Sequence, residues 1–96
     1  MNTDYDGRGY AVLTDFHKNR KGVTIMKFFS PDLRSASEFF ENERELLYRS
    51  VEAGMDHKIK IVHCDITAEN MFEGKIISSY SVYVDETGVK HIALVN

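Results

Sequence analysis

The stretch SASEFFENERELLYRSVEA, residues 35–53, decides the fold because it is the only segment with a convincing helical pattern. Ser35 and Glu38 match the S-x-x-E capping box, in which each side chain bonds a backbone N–H at the start of a helix. At about 100° per residue, its larger apolar side chains fall on one stripe opposite an acidic side. The stripe comprises Ala36, Phe39, Phe40, Leu46, Leu47 and Val51.

The residues that flank this stretch mark where the helix can begin and end. Pro31 and Asp32 suit the approach to a helix or an alternative, earlier first turn. Gly54 can adopt the left-handed conformation that closes a helix. A helix with one apolar stripe needs an apolar surface to pack on, and the rest of the chain must supply that surface.

Composition limits the classes of protein to consider. The chain has 96 residues, 43% of them apolar, which predicts a single globular domain with residues 1–7 as a loose arm. A net charge of −3 disfavours a general nucleic-acid or anionic-membrane binder. No apolar run approaches the roughly 20 residues that span a bilayer, and no signal peptide is expected at the start. A single cysteine excludes an internal disulfide and favours a reducing cytoplasm.

Five segments on either side of the helix have strand patterns. They cover residues 9–16, 23–29, 57–67, 75–84 and 89–95. In the second, Val23, Ile25 and Phe29 alternate with Thr24, Met26 and Phe28. In the third, alternation is lost at Ile61-Val62, so either both faces are covered there or a bulge switches the facing. Between strands three and four, we expect Met71 and Phe72 to pack back toward the core.

The order of elements is therefore ββαβββ. We predict an α+β two-layer sandwich in which one helix packs on a roughly five-stranded, mainly antiparallel sheet. The strand order stays open, because the helix can carry the chain to a neighbouring or a distant position in the sheet.

The turn Asp85-Glu86-Thr87-Gly88 gives a sharper prediction, because it resembles a type I turn followed by a glycine bulge. Such a turn pairs Tyr83 with His91 and Ser81 with Ala93. One face of the hairpin then carries Tyr80, Val82, Val84, Ile92 and Leu94, which suits a core. The other carries Ile77, Ser79, Ser81, Tyr83, His91, Ala93 and Val95.

The second of these faces is small, aromatic and hydroxyl-bearing, a composition found at protein contact surfaces. We therefore interpret it as a binding surface for another protein or for a second copy of the chain. The alternative is an ordinary solvent-facing sheet, because serine and tyrosine are common there and single exposed apolar groups carry no signal.

Glu43 lies close to the middle of the apolar helix stripe. A carboxylate in that position reaches the edge of the helix, pairs with a cation such as Lys27, or is a perturbed acid of the kind found at functional sites. A tolerated glutamate at the margin of a helix core is the plainer interpretation.

Residues His57, His63 and Asp65 share one strand face by parity, but the sequence supplies no further ligand for a metal site. His63 and Cys64 are adjacent and point to opposite faces of a regular strand, so they form no nucleophile–base pair. Cys64 is expected to be a small core residue. We predict no catalytic residues, no cofactor and no metal, and hence a protein that is not an enzyme.

The runner-up is a nucleic-acid-associated module. Arg8-Gly9-Tyr10-Ala11 fits the opening of the RNA-recognition pattern K/R-G-F/Y-G/A-F-V-x-F/Y, but the fifth and eighth positions depart from it and the motif sits on the first strand. Phosphate contacts would come from a basic turn (Lys18, Arg20, Lys21) beside Tyr10 and Phe16. A solvated hairpin tip explains the same charges, so nucleic acid is the less favoured partner. The favoured function is a small cytoplasmic protein-binding module: an inhibitor, an immunity-type protein or a regulatory adaptor.

Overall fold

The structure is a computed structural model that describes residues 8–18, 21–65 and 74–95. Within them, one helix packs on a five-stranded antiparallel sheet of order β2-β1-β3-β4-β5, as predicted. The elements are β1 (Arg8–Lys18), β2 (Lys21–Ser30), α1 (Leu33–Ser50), β3 (Asp56–Asp65), β4 (Lys75–Val84) and β5 (Lys90–Leu94). The predicted arm and the predicted packing of Met71 and Phe72 lie outside the described residues.

The helix begins earlier than the capping-box pattern predicted. Asp32 is the N-cap, and its carboxylate accepts hydrogen bonds from the backbone N–H groups of Arg34 and Ser35 and from the Ser35 hydroxyl. Asp32 has the extended backbone that an N-cap needs, and it follows a proline. Glu38 instead lies 3.8 Å from Arg34 in an i,i+4 ion pair. The alternative first turn at Asp32 is therefore the one that forms.

The helix ends at Ser50, before the predicted limit at residue 53. Val51 turns into an extended conformation and its side chain is buried, while Gly54 has a positive φ in the turn that follows. The predicted apolar stripe is buried or packed on the core except for Leu46, which is 55% exposed. Leu46 lies about 100° around the helix from buried Leu47, and so falls at the margin of the stripe.

The hairpin of β1 and β2 contains a bulge that the alternation in β2 does not reveal. Val12 pairs with Phe28 and Leu13 with Met26, which leaves Lys27 without a register partner on β1. Because the bulge reverses the facing of the chain beyond it, Phe28 lies with Val23 and Ile25 on the helix side. The prediction that Phe29 shares their face was wrong for this reason.

In the described part of the chain, two cores lie on opposite faces of the sheet. We call the face that contacts α1 the helix face and the other the reverse face. The helix-face core joins the helix to the three central strands; its buried members are Val12, Ala36, Phe40, Leu47, Val51, Ile59, Ile61 and Val82. The reverse-face core is smaller and contains Ala11, Leu13, Val62 and Cys64. Ile61 and Val62 are therefore both covered, the first of the two predicted alternatives. The irregularity at this level lies in β4, where Ile77 has no partner on β3.

The hairpin of β4 and β5 has the predicted register. Tyr83 pairs with His91 and Ser81 with Ala93. The turn closes with a hydrogen bond from Gly88 N–H to the Asp85 carbonyl and another from Asp85 N–H to the Val89 carbonyl. Gly88 has a φ of 87°, which confirms the glycine bulge.

Candidate functional site

The predicted contact surface lies on the reverse face of the β4–β5 hairpin, and we call it the hairpin surface. The strand register and the Val95–Ser79 backbone hydrogen bond place six of its seven predicted residues on this face: Ser79, Ser81, Tyr83, His91, Ala93 and Val95. The seventh, Ile77, is the residue of β4 that has no partner on β3. Ala93, Val95 and Ile77 are exposed, and Ser81, Tyr83 and His91 are half-buried.

Ser79 requires a correction, because it is only 8% exposed. Its short side chain lies between its register partner Lys60 on β3 and Val95 beside β5, both of which are larger. Ser79 is therefore covered within the chain and offers almost no surface to a partner.

The most organised part of the hairpin surface is a stack of two rings. Tyr83 and His91 are cross-strand partners whose ring centroids are 5.0 Å apart with an interplanar angle of 17°. His91 Nε2 lies 2.6 Å from Asp85 Oδ2, so the imidazole is held at its outer end as well as on its face. Two contacts thus fix the orientation of the His91 ring, which in turn supports the tyrosine.

Asp85 holds the whole turn together. Its Oδ1 atom accepts hydrogen bonds from the Thr87 hydroxyl at 2.7 Å, the Thr87 N–H at 2.9 Å and the Val89 N–H at 3.0 Å. The Thr87 hydroxyl, and next the His91 ring, hold the pKa of this carboxyl well below its usual range. Because an ionised carboxylate only accepts hydrogen bonds, His91 must donate from Nε2.

Cavities lie at both ends of the hairpin surface. One of about 450 Å³ is bounded by the turn after the helix and by Tyr83; its lining residues are Gly54, Met55, Asp56, Ser81, Tyr83 and Val84. The other, of about 400 Å³, lies where β4 begins and β5 ends, and is lined by Ile76, Ile77, Ser78, Leu94 and Val95. The first has an aromatic wall and a carboxylate, whereas four of the five residues in the second are apolar.

The middle of the reverse face is more polar than the sequence indicated. Asp15 Oδ1 accepts a hydrogen bond from the Thr24 hydroxyl at 2.6 Å, and Asp15 Oδ2 lies 3.7 Å from Lys60 Nζ. These three residues come from three adjacent strands, so their contact depends on the strand order that the sequence left open. The hairpin surface is therefore bordered by a charged centre.

Glu43 pairs with Lys27, one of the three outcomes that the sequence allowed. The ammonium lies 3.4 Å from the carboxylate, and the side chains of Glu43 and Lys27 are 15% and 37% exposed. The bulge in β2 places this lysine toward the helix. The contact gives Glu43 a structural role that joins the helix to the edge of the sheet.

The histidines of β3 have separate surroundings. His57 is buried against Phe16, its Nδ1 atom has no hydrogen-bond partner in the described residues, and burial lowers its pKa. His63 is exposed and stacks on Tyr10 at 4.7 Å. The two lie six positions apart along the strand, a distance of roughly 20 Å, which is too far for them to share one metal ion. Across the part of the chain that the structure describes, no three metal-ligating side chains come together.

Cys64 is buried in the reverse-face core, as predicted. Burial, and then the nearby charge of Asp65, raises the pKa of its thiol. The thiol is therefore protonated at neutral pH and is a poor nucleophile.

The residues of the nucleic-acid alternative are only partly described. Lys18 and Lys21 are the last register pair of the first hairpin, whereas Arg20 lies outside the described residues. Tyr10 and Phe16 both lie on the helix face, packed against the main core. Their rings are engaged within the chain and do not form an open platform for bases.

Two features of the site were not found from the sequence. The sequence predicted that Asp85 begins the turn but did not predict its hydrogen bond to His91. The signal for that bond was an aspartate at a turn, six residues before a histidine. The Asp15–Lys60 pair left no signal in the sequence, because it joins strands that are far apart along the chain.

Comparison with known proteins gives no assignment: no family model matches the chain, and no curated protein or solved structure is significantly similar to it. Within the described residues, no helix has the length and apolar character that crossing a bilayer requires.

Proposed function

We propose that this protein is a small, non-enzymatic binding module that works by covering the surface of another protein or of a second copy of itself. It would act in the cytoplasm, as an inhibitor, an immunity-type protein or a regulatory adaptor. The observation that carries this proposal is the Tyr83–His91 stack on the side of the sheet that the helix leaves uncovered.

A pre-oriented tyrosine suits protein recognition. Tyrosine buries a large area at a small entropic cost, and here His91 and Asp85 reduce that cost further by holding the ring system in place. The apolar Ile77 and Val95 lie on the same surface, and the charged pair of Asp15 and Lys60 borders it. Aromatic and apolar groups beside a polar border are common in protein interfaces.

The acidic face of the helix is the less favoured surface. Glu38 and Glu45 each form an ion pair with an arginine four residues away in sequence, Arg34 and Arg49. These pairs neutralise part of the acidic helix face, and their side chains are all more than half exposed, so solvent screens them.

A capture experiment tests the proposal. The tagged full chain would be used to capture partners from the native cell, with Tyr83→Ala as the test variant and Leu46→Ala as the control. Leu46 is exposed on the other side of the molecule, so its truncation removes apolar area without touching the hairpin surface.

We expect Tyr83→Ala to weaken binding of the captured partner by about 10- to 100-fold, with Leu46→Ala close to the parent chain. Tyr83→Phe, which keeps the ring and its stacking, should retain most of the binding. Partners that bind all three variants equally would show that the hairpin surface is plain solvent-exposed sheet.

A further inference from the structure

No described strand pairs with the outer edge of β5, which presents backbone hydrogen-bonding groups in a fixed pattern. Asp85 N–H donates to the Val89 carbonyl at 2.9 Å, and Val95 N–H donates to the Ser79 carbonyl at 2.8 Å. Hydrogen-bonded pairs alternate along an antiparallel ladder, so residues 91, 93 and 95 bond to β4. The backbone groups of Lys90, Ile92 and Leu94 therefore point away from the sheet.

This edge lacks the bulge, the proline and the screening charge by which many proteins block strand addition. The register of β4 and β5 is uninterrupted, so β5 has no bulge. Lys90 does not screen the edge, because its ammonium donates to the Arg49 carbonyl on the helix at 2.7 Å. Ile92 and Leu94 are 39% and 59% exposed.

We propose that β5 pairs with β5 of a second copy of this chain, in antiparallel orientation about a two-fold axis at Ile92. The two sheets then form one continuous sheet of ten strands. This inference rests on the proposed function and deepens it, because it names the partner as a second copy and the contact as the β5 edge.

The register of the pair follows from which backbone groups are free. Residues whose backbone N–H and carbonyl groups point away from the sheet must lie opposite one another in the new pair. The longest overlap of this kind sets Ile92 against Ile92 of the second copy. Lys90 then lies opposite Leu94 of the second copy. No like charges face each other, and the lysine stem can lie along the leucine.

The same register brings a valine to the apolar cavity at the end of β5. Val95 lies opposite Val89 of the second copy, and Val89 is 54% exposed in the single chain. Val89 thereby comes to the mouth of the 400 Å³ cavity that Ile76, Ile77 and Val95 help to line. The two-fold axis repeats this contact, so each copy places one valine at the mouth of the other copy's cavity.

The β5 edge and its cavity offer exposed apolar surface to a second copy. Six apolar side chains at this edge and cavity are between 36% and 59% exposed: Ile76, Ile77, Val89, Ile92, Leu94 and Val95. Together with the newly paired backbone they supply the apolar part of an interface, which in a standard complex buries about 800 Å² per partner. A short peptide on the same edge would form the ladder but would lack the reciprocal Val89 contact.

Charge variants at position 92 test both the contact and its register. Because Ile92 faces itself across the axis, Ile92→Lys and Ile92→Glu should each weaken self-association of the full chain by at least about tenfold. An equimolar mixture of the two variants should restore association, since lysine then faces glutamate. Sedimentation velocity across a range of concentrations measures each sample, with circular dichroism to confirm that the fold is kept.

The other edge of the sheet supplies the matched control. Ile25 on β2 is also exposed, so Ile25→Lys and Ile25→Glu make the same chemical changes away from β5 and should leave association unchanged. A parent chain that is monomeric throughout, or a mixture that associates no better than its components, would overturn the inference.

Failure of this inference can be told apart from failure of the proposed function. Self-association is measured on the purified chain, whereas the Tyr83→Ala comparison is measured by capture. Unchanged self-association in Ile92→Lys, together with lost capture in Tyr83→Ala, would overturn the β5 pairing and leave the hairpin surface standing as a binding site for another protein.

Discussion

Strands β2 and β5 both end the sheet, but they are built differently. β2 is interrupted by the bulge at Lys27, and the lysine is drawn to Glu43 on the helix. β5 is short and regular, and within residues 8–18, 21–65 and 74–95 no charged side chain covers its outer positions. Exposed apolar residues occur on both strands, including Val23 on β2, so exposure alone does not distinguish the edges. The difference lies in backbone regularity, because Lys27 on β2 and Lys90 on β5 both contact the helix.

The largest effect on stability is expected from proline substitutions in β5, at one position that bonds to β4 and at one whose N–H points away from it. The backbone N–H of Ala93 points toward β4. Ala93→Pro should therefore lower the free energy of unfolding by about 2–4 kcal/mol, because it removes a hydrogen bond of the ladder and adds a steric conflict. The backbone N–H of Ile92 points away from β4. The free energies of unfolding of Ile92→Pro and Ile92→Ala should therefore differ by no more than about 1 kcal/mol. Urea unfolding at low protein concentration measures both. Equal losses would contradict the assignment of the free edge.

Gly88 is expected to give the next largest effect, because it sets the turn that orients β5. Its φ is 87° and an added Cβ would meet nothing within 4 Å, so the cost of Gly88→Val is one of backbone conformation. We expect a loss of about 1–2 kcal/mol in thermal unfolding, and a smaller loss for Gly88→Asn, which tolerates positive φ. An unchanged melting temperature for the valine variant would reject the bulged turn.

His57 lies on the central strand β3, so its effect on stability can be compared with the effects of substitutions at the two edge strands. Burial lowers the pKa of this histidine below its ordinary value of about 6.5, so the unfolded chain binds more protons in the interval between the two values. Stability should therefore fall as pH drops from about 6.5 through the folded-state pKa. His57→Phe should flatten this part of the curve of stability against pH. Curves of the same shape for the parent and the variant would contradict it.

The smallest effect is expected at the β2 edge, where Lys27 meets Glu43. The lysine is more than a third exposed, so solvent screens the pair and the coupling should be about 0.5 kcal/mol. A double-mutant cycle with Lys27→Met and Glu43→Gln measures it. A coupling of zero would mean that the bulge protects this edge without help from the ion pair.

The two hairpins also show why one register could be predicted and the other could not. In the second, Asp85 and Gly88 have conformational requirements of their own, so four residues fix the pairing. In the first, the bulge at Lys27 depends on packing against the helix, which no local pattern encodes. The helix start shows the same limit, because Asp32 and Ser35 are both good caps and only the folded chain selects between them.

The candidate site divides in the same way. The location of Tyr83 and His91 on one face followed from local turn chemistry and is confirmed. The burial of Ser79 and the charged pair of Asp15 and Lys60 depend on neighbours that become known only with the strand order. Parity along a strand predicts which face a side chain takes, but not what covers it.

The hydrogen bond from the Lys90 ammonium to the Arg49 carbonyl couples the pairing of β5 in the sheet to the fraying of the last turn of α1. A cation at the carboxyl end of a helix stabilises its last turn, and here that cation belongs to the strand at the edge. Opening of β5 therefore removes the tether from the helix terminus, and the two segments should behave as one cooperative unfolding unit. Any ligand that immobilises β5 should slow amide hydrogen exchange in the last turn of α1, on a surface that the ligand never touches.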